Sequence, residues 1–142
     1  MDAMRTWWKS WFSKKEAAHL QTGRLGESTA REYLSEKGLK FLAANFRTKR
    51  GEIDLIFRDG DCLVFVEVKA RSIRSWTRPA ASVNARKRRL ISLTALEYLR
   101  RLREPRVRIR FDIVEVLLEE GRVIEIRHLP NTFSLSPPYR YG

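Results

Sequence analysis

Cysteine occurs once in this 142-residue chain, at Cys62, and histidine twice, at His19 and His128. A single thiol permits no intrachain disulfide and no Cys-based zinc site, and two isolated histidines cannot form the His-x-x-x-His pair of a metal-binding helix. Long apolar runs are missing too: stretches such as Leu63–Val66 fall far below the roughly 20 residues that span a bilayer. Asp2 and Arg5 break up the N-terminus, which has no uninterrupted apolar region and no small-residue cleavage site. No export signal is therefore expected, and the expected location is cytoplasmic. Acidic side chains are scarce in one stretch: residues 69–110 hold 2 of them against 14 lysines and arginines.

What is present is globular in composition, with 43% apolar and 32% charged residues, enough chain for one hydrophobic core and too little for two. The net charge of +12 comes from that middle block, because residues 1–68 carry 12 basic and 10 acidic groups and residues 111–142 carry 3 and 5. A field concentrated on one third of the chain attracts a polyanion by counterion release, so a phosphate backbone is the natural partner. Anionic lipid competes for that role, and a merely solubilising basic face is the plain alternative.

Residues 1–21 read as an amphipathic, Trp-rich helix, with Met4, Trp7, Trp8, Trp11 and Phe12 at helical spacing. Such a stripe docks on a protein partner, lies at a membrane interface or folds back on the domain; a protein partner is the favoured reading. From Gly23 to Lys37 a second helix ends at Gly38. Strands are expected over 39–46, Gly51–Arg58 and Cys62–Ala70, the last two joined by Asp59-Gly60 as a hairpin. A long helix follows from Val83 to Leu102, ended by Pro105, then strands Val107–Leu118 and Val123–His128 around the Glu119-Glu120-Gly121 turn, and an irregular tail over 134–142. Leu63–Val66 is apolar on both faces, which fits a central strand covered by helices on each side. The expected fold is an α/β/α sandwich on a mixed sheet of about five strands, order α-β-β-β-α-β-β.

Glu67 and Lys69 are two residues apart on the third strand and leave it on one face, while Val66 and Val68 leave the other. Asp54 interrupts the apolar run Ile53–Ile56 on the partner strand, and hairpin pairing brings both carboxylates toward one site. Oxygen ligands of this kind suit Mg²⁺ or Mn²⁺, and a neighbouring ammonium can stabilise a developing phosphorane charge. The competing reading is a weak surface pair, but carboxylates set in apolar strands need a partner to offset desolvation. Glu52 shares a strand face with Asp54 and either touches a metal or pairs with Lys49 or Arg50, and Asp112 is expected to be a buried acid paired with an arginine. No role is assigned to Cys62 or His128 beyond packing. Arg71, Arg74, Arg78, Arg86, Lys87, Arg88 and Arg89 cluster after the third strand and at the start of the long helix, where phosphate contact is natural.

From about Gly23 to Phe133 the chain resembles the YraN-like proteins of bacteria, which are similar to archaeal Holliday junction resolvases. The resemblance rests on Gly23-x-x-Gly26-Glu27, Asn45-Phe46-Arg47, Gly51-Glu52-Ile53-Asp54-Leu55-Ile56, Phe65-Val66-Glu67-Val68-Lys69-x-Arg71, the Lys87-Arg88 segment and Arg110-Phe111-Asp112. It implies the restriction-endonuclease-like PD-(D/E)xK fold over 22–133, with Asp54, Glu67 and Lys69 in the catalytic signature, Glu27 as the helical acid of the resolvase branch, and Ile53 where the signature has proline. Glu27 at a helix start also has a simpler reading, as a partner for the helix dipole.

Two functions stand against each other. One is a Mg²⁺- or Mn²⁺-dependent endonuclease on DNA, which is favoured over RNA, with selectivity for branched, Holliday-junction-like structure. The other is a non-catalytic nucleic-acid-binding module of DNA repair or uptake, against which the intact acids and lysine argue. A homodimer is compatible with either, and a membrane-associated adaptor ranks last.

Overall fold

The computed structural model describes residues 21–73 and 83–142. Residues 1–20 of the expected tryptophan helix, and Arg74 and Arg78 of the basic cluster, lie outside the described residues. The first helix, α1, runs through residues 21–36. It stops where Gly38 takes φ +93° and the N–H groups of Gly38 and Leu39 close on the carbonyls of Ser35 and Leu34, since only glycine enters that region without strain.

Three strands follow: β1 (Lys40–Arg47), β2 (Glu52–Asp59) and β3 (Cys62–Ser72). Helix α2 (Ala85–Arg101) then crosses over to β4 (Arg108–Glu119), and β5 (Arg122–Phe133) completes the sheet. Spatial order equals chain order, with β3 and β4 parallel and every other pair antiparallel. The expected element order and the mixed five-stranded sheet are therefore found.

Two boundaries moved for identifiable reasons. Helix α2 begins two residues later than the apolar periodicity indicates, because Asn84 caps it: its side chain accepts from the Lys87 N–H at 2.9 Å. Strand β5 continues past His128 to Phe133, through Pro130. An edge strand tolerates a missing N–H, and a register shift opposite Phe111 and Ile113, with Asn131 at φ 49°, absorbs the irregularity.

The sheet separates two apolar layers, as Leu63–Val66 foretells. Ala30 and Leu34 of α1 pack with Leu55, Phe57, Val64, Val66, Val114 and Val116 on one face. Ile91, Ala95 and Leu99 of α2 pack with Ile53, Ile56, Phe65, Phe111 and Ile113 on the other. No helix among the described residues is long and apolar enough to cross a membrane.

Asp112 is the buried, arginine-paired acid that the sequence indicates. Arg110 Nε lies 3.1 Å from its Oδ1, and Arg110 Nη1 reaches Asp59 at 2.9 Å. His128, given no role by sequence, sits with Nε2 2.7 Å from Asp112 Oδ2, and the Asn131 N–H donates to Oδ1 at 2.9 Å. Burial pushes this carboxyl up, but the bonds from His128, Asn131 and Arg110 outweigh burial and hold it below the ordinary aspartate range.

Gly26 fixes how closely α1 approaches the sheet, because a Cβ there would lie 2.6 Å from the Ala70 Cβ. Gly23, in the same helix, faces open space. Helix propensity alone favours alanine over glycine by about 1 kcal/mol, whereas forced separation of packed elements costs about 1–3 kcal/mol. Gly26→Ala should therefore lower the denaturant midpoint and Gly23→Ala leave it equal or higher. A gain in stability from Gly26→Ala would show that α1 is not seated against Ala70.

Candidate active site

The pairing of β2 with β3 runs from Asp59↔Cys62 to Leu55↔Val66 and stops there. Ile53 and Leu55, two residues apart, pack into opposite apolar layers, so the strict alternation of a strand is broken at Asp54. The Asp54 carboxylate takes over where the ladder ends: its Oδ2 accepts from the Val68 N–H at 2.8 Å. The side chain is thus aimed along the sheet, toward β3, and next to Glu67.

Glu67 is buried, and two ammonium groups meet it. Lys69 Nζ lies 3.5 Å from Oε1, and Lys87 Nζ, from the first turn of α2, bonds the same oxygen. Lys87, grouped by sequence with the phosphate-contacting cations, is therefore part of the acid–lysine cluster. No sequence signal marks it, since nothing in its spacing shows that α2 lies over β3.

A cleft of about 280 Å³ opens at this point, walled by Glu27, Asp54, Glu67, Lys69 and Lys87. A second, of about 250 Å³, shares Asp54, Glu67 and Lys87 and continues toward Gly51 and Leu90. All four residues expected to do chemistry, Glu27, Asp54, Glu67 and Lys69, line the first cleft. Glu27 enters from α1, which Gly26 allows to lie against Ala70.

Asn45, near the end of β1, is a further polar residue at the site, one to which the sequence assigns no role. It has φ 53°, a conformation asparagine tolerates better than most residues. Its amide, oriented with the nitrogen toward the acids, donates to Glu52 Oε1 at 3.0 Å and Glu27 Oε2 at 3.2 Å. Glu52 pairs with Arg47 at 3.2 Å rather than with Lys49 or Arg50, because Arg47 stands directly across the β1–β2 ladder from it.

The basic cluster divides. Arg86 and Arg89 are exposed. Arg88 is turned inward, with Nε donating to the Val83 carbonyl at 2.9 Å and its guanidinium over the Phe133 ring. Arg71 is half-buried on β3.

The electrostatics are those of crowded carboxylates. Burial first, and then the Glu67 charge, push Asp54 up to about 7 against the opposing bond from Val68. Glu27 is raised too, mainly by burial. Lys69 is pulled below the ordinary lysine range by burial and by its Lys87 neighbour. Burial pulls Lys87 down as well, but its bonds to Glu67 and Lys69 and the nearby negative charge more than offset that.

Hard carboxylate oxygens beside one another fit a divalent cation chemically, and burial and then the Glu67 charge, which raise Asp54, are both penalties on its ionised form that such an ion would offset. Asp54 and Glu67 are the residues that would hold it. Among the described residues no three Asp, Glu, His or Cys side chains converge into a preformed ligand group; the Lys87 ammonium bonds Glu67 instead.

Comparison with known proteins places the chain in a family. The model described as "Uncharacterised protein family UPF0102" matches residues 26–116. A UPF0102 protein of Trichlorobacter lovleyi is 40% identical over 115 residues, covering 80% of this chain and 91% of the relative. One from Rhodococcus opacus is 40% identical over 117 residues, covering 82% and 99%. One from Syntrophus aciditrophicus is 45% identical over 109 residues, covering 76% and 86%.

The Asp54 value has a testable sign. A carboxyl raised from the unfolded value of about 3.9 to about 7 in the fold contributes stability below pH ~4 that is lost as pH rises toward 7. In chelator, Asp54→Asn keeps an acceptor for Val68 and should flatten that loss, gaining on wild type by on the order of a few kcal/mol at pH 8 relative to pH 5. Denaturant melts at the two pH values measure it; parallel profiles would refute the crowded-carboxylate description.

Proposed function

This chain belongs to the family UPF0102, the YraN-like family, and on that footing we propose that it is a divalent-metal-dependent endonuclease that hydrolyses DNA phosphodiester bonds, with selectivity for branched substrates. The observation that carries the proposal is the interrupted ladder, which turns Asp54 beside Glu67 and Lys69 in one cleft. A surface ion pair has no need of a broken strand alternation or of a carboxylate anchored by a backbone N–H.

Asp54 and Glu67 would hold Mg²⁺ or Mn²⁺, with Glu27 on the α1 wall of the same cleft. Such an ion, when bound, supplies Lewis acidity toward the phosphodiester and the attacking water. The protein supplies the rest. Val68 fixes the Asp54 carboxylate without a mobile side chain. Lys69, on the same strand face as Glu67, places an ammonium where charge accumulates on the phosphoryl oxygens, in a half-buried setting where that charge is worth more than in water. Its lowered pKa makes it a readier proton donor toward the departing oxygen.

The first turn of α2 supports a phosphate partner. Helix N-termini favour anions, yet this turn has no acidic residue and carries Arg86, Lys87, Arg88 and Arg89. Glu67 neutralises Lys87; a phosphate backbone would relieve Arg86 and Arg89. No separate base-reading motif stands out in the sequence, which supports selection of DNA by shape. A four-way junction has two equivalent strands to cut, and a homodimer would match that symmetry.

Cleavage of four-way junction, flap, single-stranded and linear duplex DNA in Mg²⁺ or Mn²⁺ tests the proposal. Wild type should cut the branched substrates fastest. Asp54→Asn and Glu67→Gln should weaken Mn²⁺ binding in calorimetry and abolish cleavage, while DNA affinity stays equal or rises. Lys69→Ala should keep Mn²⁺ binding and lose about 10²-fold or more in rate. Wild-type cleavage by any of the three, or unchanged Mn²⁺ affinity in both acid variants, would falsify the assignment and favour the non-catalytic binding module.

A further inference from the structure

One face of α2 carries Lys87, Leu90, Leu93, Glu97 and Arg101, spaced three or four residues apart and so aligned along the helix. Its N-terminal end lies in the acidic clefts through Lys87 and Leu90. Its far end forms another groove, of about 460 Å³, between α2 and the β1–β2 turn, walled by Lys49, Arg50, Leu93, Glu97, Arg100 and Arg101. Gly51 joins the two grooves: it lines the second acidic cleft, and its Cα position packs against Leu90 and Thr94 so tightly that a Cβ would come within 3.0 Å of Thr94 Oγ1. The turn is therefore seated on the helix, and it is braced internally by Thr48 N–H to the Gly51 carbonyl at 2.9 Å and Arg50 N–H to Thr48 Oγ1 at 3.1 Å.

The charge of this groove is one-sided. Four cations face one acid, and that acid serves the cations: Glu97 binds both Arg100 and Arg101. Lys49, Arg50, Arg100 and Arg101 are all exposed. A single-stranded ligand needs aromatic faces on which its bases stack, and among the described residues none lines the groove. Phe46 lies beneath the Arg101 guanidinium at 5.0 Å and against Tyr98. The groove offers cations without a stacking platform, the chemistry of double-helical backbone contact.

We infer that Lys49, Arg50, Arg100 and Arg101 form a second phosphate-binding groove that holds the backbone of a double-helical arm extending away from the acidic cleft. The inference deepens the nuclease proposal and rests on it for the position of the reacting phosphate. Lys87 and Arg101 are 14 residues apart, about 21 Å along a helix, which corresponds to roughly six base pairs at 3.4 Å each. The groove would thus grip the duplex about half a turn from the phosphate being cut. Such a grip would favour substrates with a rigid double-helical arm on one side of the branch point.

Equilibrium binding in chelator, with the full-length protein, tests it apart from catalysis. The probes are a 24-base-pair duplex and a 24-nucleotide single strand, titrated across salt. Replacing Lys49, Arg50, Arg100 and Arg101 together by glutamine should weaken duplex binding about 10-fold or more and make its log-log salt slope shallower by roughly 2–4, since each phosphate contact contributes about 0.9. Single-strand binding should fall less than about 3-fold. Lys49→Glu alone, on an exposed turn and harmless to the core, should give a smaller loss of the same duplex-selective kind. Unchanged duplex affinity in both variants, or equal losses for duplex and single strand, would overturn the groove. If wild type fails to cleave yet the duplex-selective loss appears, the groove stands and the nuclease proposal falls. If wild type cleaves and both variants bind duplex normally, the reverse holds.

Discussion

One hydrogen bond organises the site: the Val68 amide donating to Asp54. A strand that stops pairing leaves backbone groups that must find other partners or pay desolvation. Here a side chain from the departing strand satisfies the amide, so the sheet opens without an orphaned donor, and the opening itself becomes the cleft. Placing a carboxylate in the plane of the sheet, part-buried and beside Glu67, raises Asp54 through burial first and the neighbouring charge second. Lys69 and Lys87 respond to the same constraint, one on the strand and one on the helix above it.

The scaffold was readable because its elements carry strong, redundant patterns. Leu63–Val66 marks a strand covered on both faces, Gly60 the hairpin and Gly38 the helix stop, and each signal is local. The pairing of Asp54 with Glu67 and Lys69 followed from hairpin geometry alone. Other features depend on tertiary approach, which no periodicity records. Lys87 reaches Glu67 only because α2 crosses β3, and Arg47 wins Glu52 over Lys49 and Arg50 only through ladder register. Asn45 was legible in part, since asparagine is a common choice for left-handed backbone, but its two acidic partners come from α1 and β2. The continuation of β5 through Pro130 was hidden by a rule that holds for central strands and relaxes at an edge.

Close approach is a second theme. Gly26 lets α1 lie on Ala70 and Gly51 lets the β1–β2 turn lie on α2. Both contacts border the acidic clefts, one bringing Glu27 to the wall and the other joining the clefts to the cationic groove. Gly26 and Gly51 thus each have a steric reason for being glycine.

The Asp112 cluster has a consequence for how the protein comes into being. Arg110 is made just before Asp112 on the ribosome, but His128 and Asn131, which complete its bonds, follow 16 and 19 residues later. Until then a carboxylate destined for full burial lacks two of its partners, and closing the sheet around β4 would strand it at a cost of several kcal/mol. The nascent chain is thereby discouraged from locking its sheet early. Strand β5 thus acts as a latch, since the sheet can close around Asp112 without penalty only once residues through Asn131 are in place.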